Sequence, residues 1–227
     1  MRKGSVFGLL GILTITLGII ISVLFYEGRV GEKFSFLNHY VSELGESPWS
    51  IASWVFNTGL IAGGSLVLFF MITLWPVFDT WIGKLIVVMG IITSISGGLV
   101  GVYPMNHLVP HVNVALTFFY SGLLVTILFS LYVFTNQNQF FPKWMAVPGL
   151  VSFVCFFSFL FLTDPIVPEG EPLKDVLFVL ENRPAIIETA IFEWAVILST
   201  LIWIFVLAVF VNRNTRMLLV SHDKGNS

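Results

Sequence analysis

Three histidines, three carboxylates and a serine carry most of the chemistry open to this sequence. His107 and His111 stand four residues apart, the spacing that aligns two imidazoles on one helix face, as in zinc sites built on a single helix. Pro110 works against a continuous helix through both, because proline suits a helix start and biases Val109 away from helical angles. His107 is therefore expected in a loop and His111 in the first turn of a helix. His39, from an earlier loop, would complete a His39, His107 and His111 site for a divalent metal such as zinc, although no spacing rule demands it. A neutral imidazole takes up a proton near neutral pH and a carboxylate orients it. On that basis His111 and Glu43 are acid/base candidates, Ser42 stands beside them, and Asp164 or Glu193 would orient them toward activating water or a hydroxyl.

Glu193 is set apart by its depth. It lies about 12 Å along the last apolar segment from Ala185, at ~1.5 Å per residue, and an ionisable group there is a functional candidate by default. The structural alternative is a hydrogen-bonded glutamate facing other helices. Glu188, nearer Arg183, fits an acid favoured at a helix amino terminus.

The elements that must position these groups are membrane spans. Of the 227 residues, 56% are hydrophobic and 11% charged, too little polar surface for a soluble globule. Six apolar stretches, at 6–26, 51–75, 81–103, 110–134, 144–162 and 185–211, each match the ~20 residues that cross a bilayer as a helix. Tyr26, Trp49, Trp75, Trp81, Tyr103 and Trp144 flank their ends, as rings at the headgroup level do. The expected fold is an all-α, compact six-helix transmembrane bundle forming one domain over 1–227. Close repeats of small residues, Gly4 with Gly8, Gly59 with Gly63 and Gly97 with Gly101, favour tight helix packing.

Arg2 and Lys3 precede the first span, which lacks a small-x-small cleavage site and reads as a retained helix. With both termini cytoplasmic in a cell membrane, the inner segments hold Arg2, Lys3, Lys84, Lys143, Arg213, Arg216 and Lys224, the pattern of basic residues inside. The outer loops then receive His39, His107 and His111 and most of the acidic residues, among them Glu27, Glu32, Glu43, Glu46 and Asp164.

Local physics gives several of these residues plain roles. Ser42 or Ser47 suits a cap, Gly45 a positive φ, and Pro48 the first turn of the second helix. Asn57, inside the second span, is expected to bond a neighbouring helix. Cys155, the single cysteine, packs as a small hydrophobe and excludes a disulfide or thiolate cluster within one chain.

The run Phe36-Leu37-Asn38-His39-Tyr40-Val41-Ser42-Glu43-Leu44-Gly45, the element Phe56-Asn57-Thr58-Gly59, and Tyr103-Pro104 followed by Pro110-His111 together resemble a prokaryotic membrane family, domain of unknown function 998. That family is in turn similar to the eukaryotic Frag, DRAM and Sfk membrane proteins, which include autophagy modulators and a factor in lipid remodelling of glycosylphosphatidylinositol anchors. The resemblance places a Ser-acid-x-Gly turn on Ser42, Glu43 and Gly45, with Glu where Asp is commoner. It places a Phe-Asn-x-Gly element on Phe56, Asn57 and Gly59, and a proline and helix-entry histidine on Pro104 and His111. It implies a multi-pass membrane protein and supplies no reaction.

Three classes of function stay open: a lipid-modifying protein of hydrolase or acyl-transfer type with its site at the outer face, a small-molecule or proton transporter or lipid-binding protein, and a non-catalytic scaffold. Membrane lipids are the expected partners, and monomer and homo-oligomer are equally compatible. Nucleic acid is excluded by a net charge of −2 without a basic stripe. Phosphate-binding loops and dinucleotide motifs are absent, and no histidine lies deep in a span to ligate haem.

Overall fold

Apolar runs bounded by polar turns fold as helices because hydrocarbon satisfies no backbone N–H or C=O. The computed structural model describes residues 2–28, 30–135, 140–163 and 183–225. Its helices are α1 (Arg2–Leu24), α2 (Ser53–Thr73), α3 (Trp81–Val102), α4 (Leu108–Thr135), α5 (Ala146–Phe161) and α6 (Glu188–Gly225). All six are long and apolar enough to cross a membrane once the short turns flanking α5 and α2 are included, and the protein is a multi-pass helical membrane protein. Among the described residues there is no strand, only an isolated bridge between Tyr26 and Ser50.

Helix ends follow local chemistry. The Thr80 hydroxyl accepts from the Gly83 N–H at 3.1 Å and caps α3. Pro110 lies inside the first turn of α4, where its missing N–H would have had no partner; the helix therefore begins at Leu108, before the expected 110. His107 ends a separate 3₁₀ turn, Met105–His107. At the other margin α6 starts at Glu188 instead of 185 and its apolar part runs to Asn214.

Each helix packs mainly on its neighbours in chain order, and α6 returns against α1 to close a ring. Small residues bring the backbones together: a Cβ on Gly59 would stand 3.3 Å from the Gly18 Cα, and one on Gly64 2.9 Å from the Gly98 Cα. In lipid such contact works through dispersion, since lipid tails are as apolar as leucine. One end of the ring is filled by Phe70, Phe78, Phe129, Phe141, Trp203 and Leu207, with the Phe129 and Trp203 rings edge to face at 5.5 Å.

The opposite end is plugged by the segment between α1 and α2. Its 3₁₀ turn, Val41–Gly45, sinks Val41, Glu43 and Leu44 out of solvent. Gly45 does not adopt a positive φ, which among the described residues belongs to Gly31 alone. Glycine is required there because a Cβ would lie 2.3 Å from Asn57 Oδ1. Asn57 Nδ2 donates to the Gly45 carbonyl at 3.0 Å, so this amide holds the plug and not a neighbouring helix. The Ser-acid-x-Gly turn and the Phe-Asn-x-Gly element thus form one joint. Pro48 follows a cis peptide ahead of α2 and is not in its first turn. Ser47 makes no cap: its N–H donates to Asn106 Oδ1 at 3.0 Å and its carbonyl accepts from Asn106 Nδ2, tying the plug to the turn before α4. Tyr26 is 2% exposed, inside the protein and not at a lipid headgroup.

Candidate functional site

A ring of six helices closed at both ends leaves space in the middle. Between the aromatic end and the plug lies a cavity of about 120 Å³ lined by residues of all six helices and by Val41 and Ser42 of the plug. Its wall is almost wholly apolar, with Ile15, Phe56, Val67, Val125 and Phe156 among the contributors; Ser42, His111 and Glu193 bring polar groups to it, and Thr93, Ser94, Thr126 and Thr200 add hydroxyls. The Thr93, Ser94 and Thr126 hydroxyls donate to carbonyls of their own helices, as such side chains do in spans.

Glu193, on α6, holds the plug from the cavity wall. Its Oε2 accepts from the Val41 N–H at 2.7 Å, and its carboxyl also accepts from the Ser42 N–H and hydroxyl. Next to it the Trp194 indole N–H donates to the His39 carbonyl at 3.0 Å. His111, in the first turn of α4, has Nδ1 2.8 Å from the Tyr103 carbonyl. A carbonyl only accepts, so Nδ1 carries the proton and Nε2 keeps its lone pair.

Glu43 belongs to a second cluster. Arg183, in the segment entering α6, grips it with both arms, Nη2 at 2.7 Å from Oε2 and Nη1 at 3.1 Å from Oε1, while Nη1 also donates to the Asn38 carbonyl at 2.6 Å. The carboxylate further accepts from the Tyr40 N–H at 2.8 Å and the Tyr26 hydroxyl at 3.3 Å. Glu43 is 1% exposed and Arg183 9%. Burial works against the Arg183 charge, but the hydrogen bonds to Glu43 and the charges of Glu43, Tyr26 and Glu32 together outweigh it and raise the guanidinium above its ordinary value. Burial and then Glu43 push the Tyr26 phenol up. Glu32 Oε1 lies 3.7 Å from both Arg183 Nη2 and His39 Nε2.

The structure therefore divides the residues expected to work together. Ser42, His111 and Glu193 share the cavity, whereas Glu43 is spent on Arg183 and does not line it. His39 is buried against Glu32, Tyr26 and Phe34, His107 is exposed, and His111 is committed through Nδ1 to Tyr103. Among the described residues no three His, Cys, Asp or Glu side chains are placed to share a metal ion, so the expected triad is not assembled: the 3₁₀ turn takes His107 off the face that carries His111. Asp164 lies outside the described residues. Arg183 was not expected at the site; the signal for it is a basic residue in an acidic loop, with a buried carboxylate elsewhere needing a partner.

The model of a protein family described as "Protein of unknown function (DUF998)" matches residues 10–210. The chain belongs to the DUF998 family. The matched stretch takes in α2 to α5, most of α1, α6 as far as residue 210 and the whole plug, so cavity and ion-pair cluster both lie within the DUF998 unit. No curated protein and no solved structure matches this DUF998 chain.

Acid is expected to loosen the plug of this DUF998 protein. Burial holds the His39 imidazole below its ordinary 6.5, although Glu43 and Glu32 pull the other way and Arg183 adds to the depression. The unfolded chain then binds the proton first, so the contribution is complete above pH 6.5 and is lost as pH falls through the lowered value. Glu32 acts in the same direction further down: burial opposes its charge, but backbone N–H groups of Glu32 and Val30, with Arg183, win and hold it below 4.5. Exchange of the Tyr40–Gly45 amides should accelerate beyond the intrinsic rate as pH falls below 6.5, and His39→Gln should flatten that part of the profile.

Proposed function

We propose that this protein binds a lipid in the interior of its helix ring, apolar chain along the cavity wall and polar end at Ser42, His111 and Glu193. The observation that carries the reading is the pairing of an apolar interior cavity with a few convergent polar groups at one place, the usual composition of a ligand site. The basic residues at both termini and in the loops on that side fit a cell-membrane orientation with both termini cytoplasmic and the plug outside.

Filling the cavity tests the reading. Ala115 lines it from α4, and Ala115→Phe places a ring in space now empty, at a cost below the ~1–3 kcal/mol of overpacking a dense core. Purified in nanodiscs, the variant should keep its helical circular dichroism and lose most of the lipid that mass spectrometry finds bound to the wild type. An unchanged bound complement would refute the site.

A second reading, hydrolysis or acyl transfer on a lipid ester, draws on the Ser42 hydroxyl donating to Glu193 beside the cavity. In it Ser42 Oγ adds to the ester carbonyl as its proton passes to Glu193, and the alcohol leaves with that proton. Release of alcohol from a lipid ester by the wild type and not by Ser42→Ala would favour this reading over binding alone.

A further inference from the structure

Resting on the lipid-binding reading, we infer that the part of the lipid seated in the cavity carries an oxygen acceptor, a carbonyl or an ether, a short chain beyond its polar end, and that Thr200 and Trp203 bind it.

Deep in the ring, α6 brings to the cavity two hydrogen-bond donors that nothing in the described protein answers. Thr200 and Trp203 both line it, and each is more than nine-tenths buried. Neither Thr200 Oγ1 nor Trp203 Nε1 has a hydrogen-bond partner among the described residues. Three residues apart, the two lie on one face of α6. The other hydroxyls of the inner wall, those of Thr93, Ser94 and Thr126, donate four residues back to carbonyls of their own helices. For Thr200 the corresponding carbonyl is that of Val196, which already receives the Ser199 hydroxyl at 3.1 Å. An indole nitrogen only donates, so Trp203 has no other way to be satisfied. Donors left unmet inside a span, where no bulk water reaches them, are costly. A ligand oxygen presented to both removes that cost, and a plain hydrocarbon chain leaves it standing.

Spacing and bulk set where that oxygen sits. Thr200 follows Glu193 by about two turns, or ~10 Å along α6, and side chains of one helix lean the same way, so their tips keep that separation. About five atoms in line, with a hydrogen bond of ~2.9 Å at each end, bridge it. The cavity leads to a similar figure: a dry space of ~150 Å³ takes the six carbons of benzene, and the 120 Å³ here takes a seated part slightly smaller. A polar end at Ser42, His111 and Glu193 and an acceptor at Thr200 and Trp203 therefore fit one short, oxygenated segment.

The test is nuclear magnetic resonance of the protein with ¹⁵N-labelled tryptophan, stripped of bound lipid by detergent and returned to nanodiscs. Trp203→Phe assigns the Trp203 indole resonance by its loss. Pentan-2-one is titrated against 2-methylpent-1-ene, which has the same shape and no acceptor, at equal mole fractions in the bilayer. The ketone should move the Trp203 indole proton downfield, as a new hydrogen bond does, and saturate at about tenfold lower mole fraction than the alkene, the discrimination expected when buried donors are met by one probe and not by the other. Thr200→Val keeps the volume and removes the hydroxyl, and should weaken ketone binding about fivefold, the worth of one net hydrogen bond. A ketone that moves the resonance no more readily than the alkene, or not at all, overturns the acceptor inference. Lipid binding then stands if Ala115→Phe still removes the bound lipid, and falls with it if that variant keeps its lipid.

Discussion

Arg183→Ala is expected to destabilise the protein by about 3–5 kcal/mol, because it strands a buried carboxylate. Glu43 is 1% exposed and its charge is met from one side by the two-armed guanidinium; the Tyr26 hydroxyl and the Tyr40 N–H that remain are neutral donors and do not replace a cation. The loss should concentrate in the plug, since Arg183 also ties the entry of α6 to the Asn38 carbonyl. Thermal unfolding in nanodiscs and amide exchange at Tyr40–Gly45 measure it. Pairing Arg183→Met with Glu43→Gln removes both charges together and should recover most of the loss, as neutral replacements of buried ion pairs do. An Arg183→Ala protein that melts with the wild type and keeps its plug amides protected would show that the pair is ornamental.

What the sequence reveals and conceals here follows from the range of each interaction. A span announces itself in about 20 consecutive residues, and a proline at the third position of a helix marks its own start, so the six helices and the place of His111 can be read from neighbours alone. Glu193 stands out because a carboxyl in an apolar run is conspicuous by itself. Its partners, Val41 and Ser42, are far away in the chain and carry no matching period, and the same holds for Glu43 with Arg183. Pro110 overrides the helical spacing of His107 and His111 in the sequence itself, and His107 does end a separate 3₁₀ turn while His111 lies in the first turn of α4. Gly45 shows a subtler failure. A glycine in a turn suggests a positive φ, yet this one is fixed by the approach of Asn57, a contact that exists only after α2 has packed under the plug.

Glu193→Ala should be the other costly substitution. Removing the carboxyl leaves the Val41 N–H and the Ser42 N–H and hydroxyl without their acceptor. At ~1 kcal/mol each, the low end for a buried donor left unsatisfied, the total is about 3 kcal/mol, with the plug freed before the ring because the helix packing is untouched. Glu193→Gln keeps an oxygen for those donors, so it should hold the plug near wild-type protection. Amide exchange at Val41 and Ser42 reads the difference between the two variants. A Gln variant that loses plug protection as fully as Ala would mean that the charge, and not the acceptor geometry, holds the turn.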